Sequence, residues 1–61
     1  MRHKEVIGMY DSLLKQIHLK IGKKVDIYDP YGSDNIVVRD YEVTQRMVDI
    51  CIRRKNYWIG R

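Results

Sequence analysis

The sequence predicts an α+β fold, with an N-terminal amphipathic helix packed on a three- to four-stranded antiparallel β-sheet arranged as a meander. Three observations lead there. Apolar residues recur at helical spacing through the first third, the period shifts to two from Lys23 onward, and the connections between alternating runs are short.

In the first third, Val6, Met9, Tyr10, Leu13, Leu14, Ile17 and Ile21 recur at steps of three and four, one broad stripe of a helix over about residues 3–21. Glu5 lies in its first turn and Lys20 in its last, and Asp11 with Lys15 forms a supporting pair one turn apart. Gly22 suits the left-handed residue that ends such a helix. Gly8 inside the stripe is unfavourable and suggests close approach of another backbone. A shorter version stops near Gln16, because Ile17, Leu19 and Ile21 also alternate; the smooth run through Leu13 to Gln16 favours the longer helix.

Val25 and Ile27 then alternate with Lys24, Asp26 and Tyr28, a half-buried strand at 24–28. The stretch from Asp29 to Asn35 holds the single proline with a glycine two residues on, and reads as a turn. A β-branched run predicts a second strand at 36–43. Val48, Ile50 and Ile52 alternate, which predicts a third strand at 47–53; Arg54, Lys55 and Asn56 turn the chain into a short fourth at 57–59. The rival for this last part is a helix capped by Thr44 and running to about Lys55, with Met47, Val48, Cys51 and Ile52 as its stripe. Three β-branched residues at spacing two weigh against it.

Sixty-one residues make one domain, 1–61, near the lower end of chains that fold alone. At this size a metal, a disulfide or self-association often adds stability. Cys51 is the single cysteine, so no intramolecular disulfide is possible, and its isoleucine neighbours mark it as a small apolar residue. His3, His18 and Cys51 lack zinc-ligand spacing, so no metal is expected, and a homodimer becomes an open expectation. No stretch has the roughly 20 apolar residues of a membrane span. An N-terminus without an apolar run and an unpaired cysteine give the expectation of a cytoplasmic setting.

Phosphate-loop, zinc-protease and nucleophile-elbow patterns are missing from the sequence, and no cofactor is implied. Acid pairs such as Asp40 and Glu42 read as a solvated strand face. The expectation is therefore a protein that is not an enzyme.

Charge and aromatic residues frame the functional expectation. The net charge of +4 divides into basic ends and an acidic middle of Asp26, Asp29, Asp34, Asp40, Glu42 and Asp49. Five tyrosines and one tryptophan with no phenylalanine favour rings that have one apolar and one wet end. The favoured expectation is a small protein-interaction module or inhibitor, of the kind used as phage or mobile-element accessory proteins, docking a protein partner through a tyrosine-rich sheet face or edge at Tyr28, Tyr31 and Tyr41. The alternative is a nucleic-acid-binding protein whose basic C-terminal hairpin holds single-stranded DNA or RNA. There Arg53, Arg54, Lys55 and Arg61 meet phosphates, helped by Lys20, Lys23 and Lys24, while Tyr57 and Trp58 stack on bases. The acidic middle opposes phosphate binding unless the fold turns it away.

Overall fold

The computed structural model describes residues 2–61. Four elements follow one another: α1 (Arg2–Ile17), β1 (Lys24–Tyr28), β2 (Ile36–Glu42) and α2 (Gln45–Ile59). The α+β class holds, but the sheet has two strands, β1 beside β2. The expected third and fourth strands, 47–53 and 57–59, both lie inside α2.

α1 forms on the predicted apolar stripe, with Glu5 in its first turn. It ends at Ile17, earlier than the expected Ile21, and Lys15 rather than Lys20 occupies its last turn. The cause lies downstream. The Gly22 N–H donates to the Val43 carbonyl at 2.9 Å, and the Val43 N–H donates to Lys23 at 3.0 Å. These bonds draw residues 18–23 away from the helix and into the start of the hairpin. Leu19, 79% exposed, sits on the resulting turn. Gly22 holds φ +85 there, a conformation that costs a side-chain-bearing residue about 1 kcal/mol or more. Gly8 meets no backbone: a Cβ there would have no neighbour within 4 Å, so the expected close approach is absent.

The hairpin is irregular on one strand. Lys24 pairs with Glu42 and Val25 with Tyr41, but Ile27 faces Val38 and Tyr28 faces Ile36, so β2 carries two extra residues. At one of these irregularities Asp40 adopts φ +51, and its N–H donates to the Asp26 carboxylate at 3.0 Å. That bond satisfies an amide which the bulge removes from regular pairing. The outer edge of β1 is covered by α1: the Gln16 side-chain amide donates to the Tyr28 carbonyl at 3.1 Å and accepts the Tyr28 N–H at 2.8 Å. In the loop, the Asp29 N–H donates to the Asn35 carbonyl at 2.8 Å and the Asp29 carboxylate accepts from the Tyr31 N–H at 2.9 Å.

α2 overrides its own alternating pattern. Thr44 is extended and its hydroxyl accepts the Met47 N–H at 3.2 Å, an N-cap that starts a helix. Met47, Val48, Cys51 and Trp58 then face inward at helical spacing, whereas Ile52, the last member of the alternation, is exposed. The stripe of α1 supplies the partner surface. A helix that buries its stripe against another gains more than a β-branched alternation loses in intrinsic helix preference, a few tenths of a kcal/mol per residue.

α1 and α2 run antiparallel, since Asp11 meets Lys55 and His3 meets Trp58. The closest backbone packing is strand on strand and helix on helix, and the hairpin adjoins the end where α1 stops and α2 begins. Ile17, Ile27, Val43, Val48 and Cys51 make the buried core, with Leu13, Leu14, Tyr41 and Met47 packed around it. The backbone measures 32 × 25 × 13 Å, a thin plate.

Two stability outcomes follow from these local features. Thr44→Ala removes the cap and is expected to cost about 1 kcal/mol, read as a lower midpoint in thermal unfolding followed by circular dichroism. Gly8→Ala, in open space on an exposed helical position, is expected to raise stability by up to about 1 kcal/mol.

Candidate functional site

The outer face of α2 collects what the sequence had placed on a hairpin. Arg46, Asp49, Arg53, Asn56 and Tyr57 recur at steps of three and four and are all exposed. Arg46 and Arg53 lie two turns apart, about 10 Å along the axis. Arg54 is exposed on the flank, and a shallow cleft of about 310 Å³ opens between it, Arg53 and Ile50. Residues 45–61 carry five cations against a single acid, Asp49. The Asp49 carboxylate accepts a hydrogen bond from the Gln45 amide at 3.0 Å. Among the described residues, Arg46, Arg53, Arg54 and Arg61 make no salt bridge.

The aromatic pair divides. Tyr57 is 53% exposed, and the Arg61 guanidinium lies over its ring at 5.1 Å. Trp58 is half-buried at the helix interface, 5.2 Å from the His3 ring and edge-on to Tyr57. One ring therefore faces solvent beside the arginines where two were expected.

Lys55 is also withdrawn. Its ammonium meets Asp11 at 2.8 Å, while Lys15 meets the other oxygen of the same carboxylate at 3.3 Å. The hydrogen bonds from Lys55 and then Lys15 hold the Asp11 carboxyl below its ordinary range. Lys23 and Lys24 are exposed at the entry to β1, with Lys24 opposite Glu42 and the Lys23 carbonyl bonded to Val43, next to the start of α2. They therefore lie towards Arg46 and away from Arg53, Arg54 and Arg61 at the far end of α2.

The tyrosines of the sheet also separate. Tyr28 and Tyr31 are exposed on β1 and in the loop, whereas Tyr41 is half-buried on the inner face. Tyr41 lines an apolar groove of about 170 Å³ with Leu13, Ile17, Ile27, Val38, Met47 and Cys51. Burial pushes the Cys51 thiol up from its ordinary value, which keeps it protonated and unreactive at neutral pH.

The charges are segregated. Residues 24–42 hold Lys24 and Arg39 against Asp26, Asp29, Asp34, Asp40 and Glu42, a net −3. The rest of the chain, with ten cations and three acids, carries +7. No group of three or more His, Cys, Asp or Glu side chains is arranged to hold a metal among the described residues, and no described helix is long and apolar enough to cross a membrane.

This arrangement defines a small two-helix and hairpin protein with a basic helical face and an apolar groove. No protein-family model, curated protein or solved structure matches the chain.

Sequence reasoning missed Arg46 and Asn56 as partners of Arg53 and Tyr57, because the strand reading left Arg46 before the third strand and Asn56 in the turn after it. The helical spacing of 46, 49, 53 and 57 was the available signal. The groove was not foreseen either, since its walls come from all four elements.

The ion pair yields a pH prediction. A carboxylate with a depressed folded-state pKa adds stability above its unfolded value and loses it as pH falls through the folded value. Asp11 should therefore contribute fully at neutral pH and lose that contribution progressively as pH falls below about 4. Urea midpoints measured against pH should fall less steeply in that acid range for Asp11→Asn than for the wild type.

Proposed function

We propose that this chain is a small non-catalytic nucleic-acid-binding module whose α2 outer face contacts backbone phosphates. The observation that carries the reading is the set of exposed arginines along α2 and just past its end, Arg46, Arg53, Arg54 and Arg61, none of them in a salt bridge among the described residues. Guanidinium groups donate pairs of hydrogen bonds to phosphate, and several such contacts give affinity without sequence information. Asn56 on the same face is of the type that reads base edges.

The acidic residues had argued against this reading. In the fold all but Asp49 of the acidic middle lie on the hairpin, beyond the end of the helix pair, and Asp49 is engaged by Gln45. Because one ring, Tyr57, is exposed beside the arginines, phosphate contact rather than base stacking supplies the affinity. Duplex is accordingly favoured over the single strands first expected.

A second reading, docking of a protein partner, is supported by a separate observation: the apolar groove and the β2 edge beside it. It keeps the free-edge expectation and replaces the tyrosine-rich face by a groove in which Tyr41 alone of the three takes part.

Fluorescence anisotropy with a labelled 20-base-pair duplex and the matching single strand tests the first reading. Binding should weaken steadily with salt and favour the duplex. Arg53→Ala with Arg54→Ala should weaken it by about one order of magnitude and lower the slope of log affinity against log salt by about 2. Absence of salt-sensitive binding, or an unchanged slope in the double variant, would sink the reading.

A further inference from the structure

The groove opens directly onto the core. Three of the five buried core residues, Ile17, Ile27 and Cys51, form part of its lining, and the lining exposes no polar surface. On its rim Val38 is 42% exposed, and next to it Val37 is 55% exposed. Among the described residues β2 has no strand partner on its far side, since they form a sheet of β1 and β2. A two-stranded ribbon is marginal by itself, and an open edge beside an apolar groove is a surface made for addition of another strand.

The chain as a whole exposes more surface than a compact monomer of its mass. The chain exposes 4815 Å², whereas a compact monomer of 7.4 kDa exposes about 4200 Å² by the usual scaling of area with mass. The excess of about 600 Å² approaches the roughly 800 Å² that each partner contributes to a stable interface of standard size.

We propose that this groove and the β2 edge are covered by a second copy of the same chain, forming a two-fold dimer. The inference rests on the second reading above and names its partner. A two-fold contact is self-complementary, so the same deficit is met on both chains at once. Val37 and Val38 of each copy cover the groove of the other. Antiparallel approach of two β2 edges also brings the Arg39 guanidinium of one copy towards Asp40 and Glu42 of the other, because cation and acids sit close together on the same short strand. The repulsion between two hairpins of net −3 acts across exposed surface and is screened beyond about 10 Å at 0.1 M salt. The α2 outer faces stay outside the contact, so the dimer presents two basic helices.

Sedimentation equilibrium of the full chain over about 1–500 μM, with 1-anilinonaphthalene-8-sulfonate fluorescence on the same samples, tests this; the range brackets micromolar dissociation constants. The expected result is a mass of twice 7.4 kDa at high concentration, with the dye excluded. Val38→Asp should shift the protein to monomer by at least tenfold in dissociation constant. Because that change can also unfold the chain, Arg39→Glu provides a second route: it should weaken the dimer, and adding Glu42→Arg should restore it. A wild-type monomer throughout the range that binds the dye would overturn the second copy while leaving the groove open to a different protein. A monomer that ignores the dye would overturn both the dimer and the groove reading. A dimer unaffected by Val38→Asp and Arg39→Glu would place the contact elsewhere and overturn the proposal as well.

Discussion

Val43 is the joint on which the molecule turns. It is 1% exposed, and it follows β2 directly and precedes the Thr44 cap of α2. Its amide donates to Lys23 and its carbonyl accepts from Gly22, so one residue ties the α1–β1 turn to the β2–α2 junction. Its side chain joins Ile17 of α1, Ile27 of β1 and Val48 and Cys51 of α2. Burying a valine contributes about 1.5–3 kcal/mol, and here the same residue also sets two backbone directions. Once Val43 is fixed, α1 must end at Ile17 and α2 must start back along it.

That geometry explains why acidic and basic residues separate in space. The hairpin projects from one end of the helix pair and takes five of the eight acids with it. α2 returns along α1 with Val48 and Cys51 inward, which leaves Arg46, Arg53 and Tyr57 outward. Lys55 falls on the border, half-buried against Asp11, and there a cation acts as a clamp between helices. The same sequence that has a net charge of only +4 thus carries a far more basic surface along one helix. Electrostatic attraction acts through such local fields rather than through net charge alone.

How much was legible in the sequence differs by element, for physical reasons. The α1 stripe has no competing period through Gln16, and Val25 with Ile27 has none in β1, so their local patterns agree with the fold. α2 was misread because Val48, Ile50 and Ile52 mimic a strand, while the competing helical stripe makes sense only once α1 supplies a surface to bury it. Thr44 was the local clue, and its cap is seen. The early end of α1 was unreadable because the bonds that cause it come from Val43, more than twenty residues away. The bulge at Asp40 depends on the Asp26 carboxylate across the hairpin, which no local pattern encodes. Of the candidate site, Arg53, Arg54, Tyr57 and Arg61 were named from composition alone. Trp58 and Lys55 were named for the same reason, but helix packing turned both inward.

The account turns on α2 as an outward basic helix that works apart from the acidic hairpin. The direct test is amide chemical-shift mapping of the isotopically labelled chain during titration with duplex DNA at low salt. The account predicts that shifts concentrate at Arg46, Arg53, Arg54, Asn56, Tyr57 and Arg61 and leave Asp26 to Glu42 unmoved. Shifts confined to the hairpin, or none at saturating duplex, would contradict it.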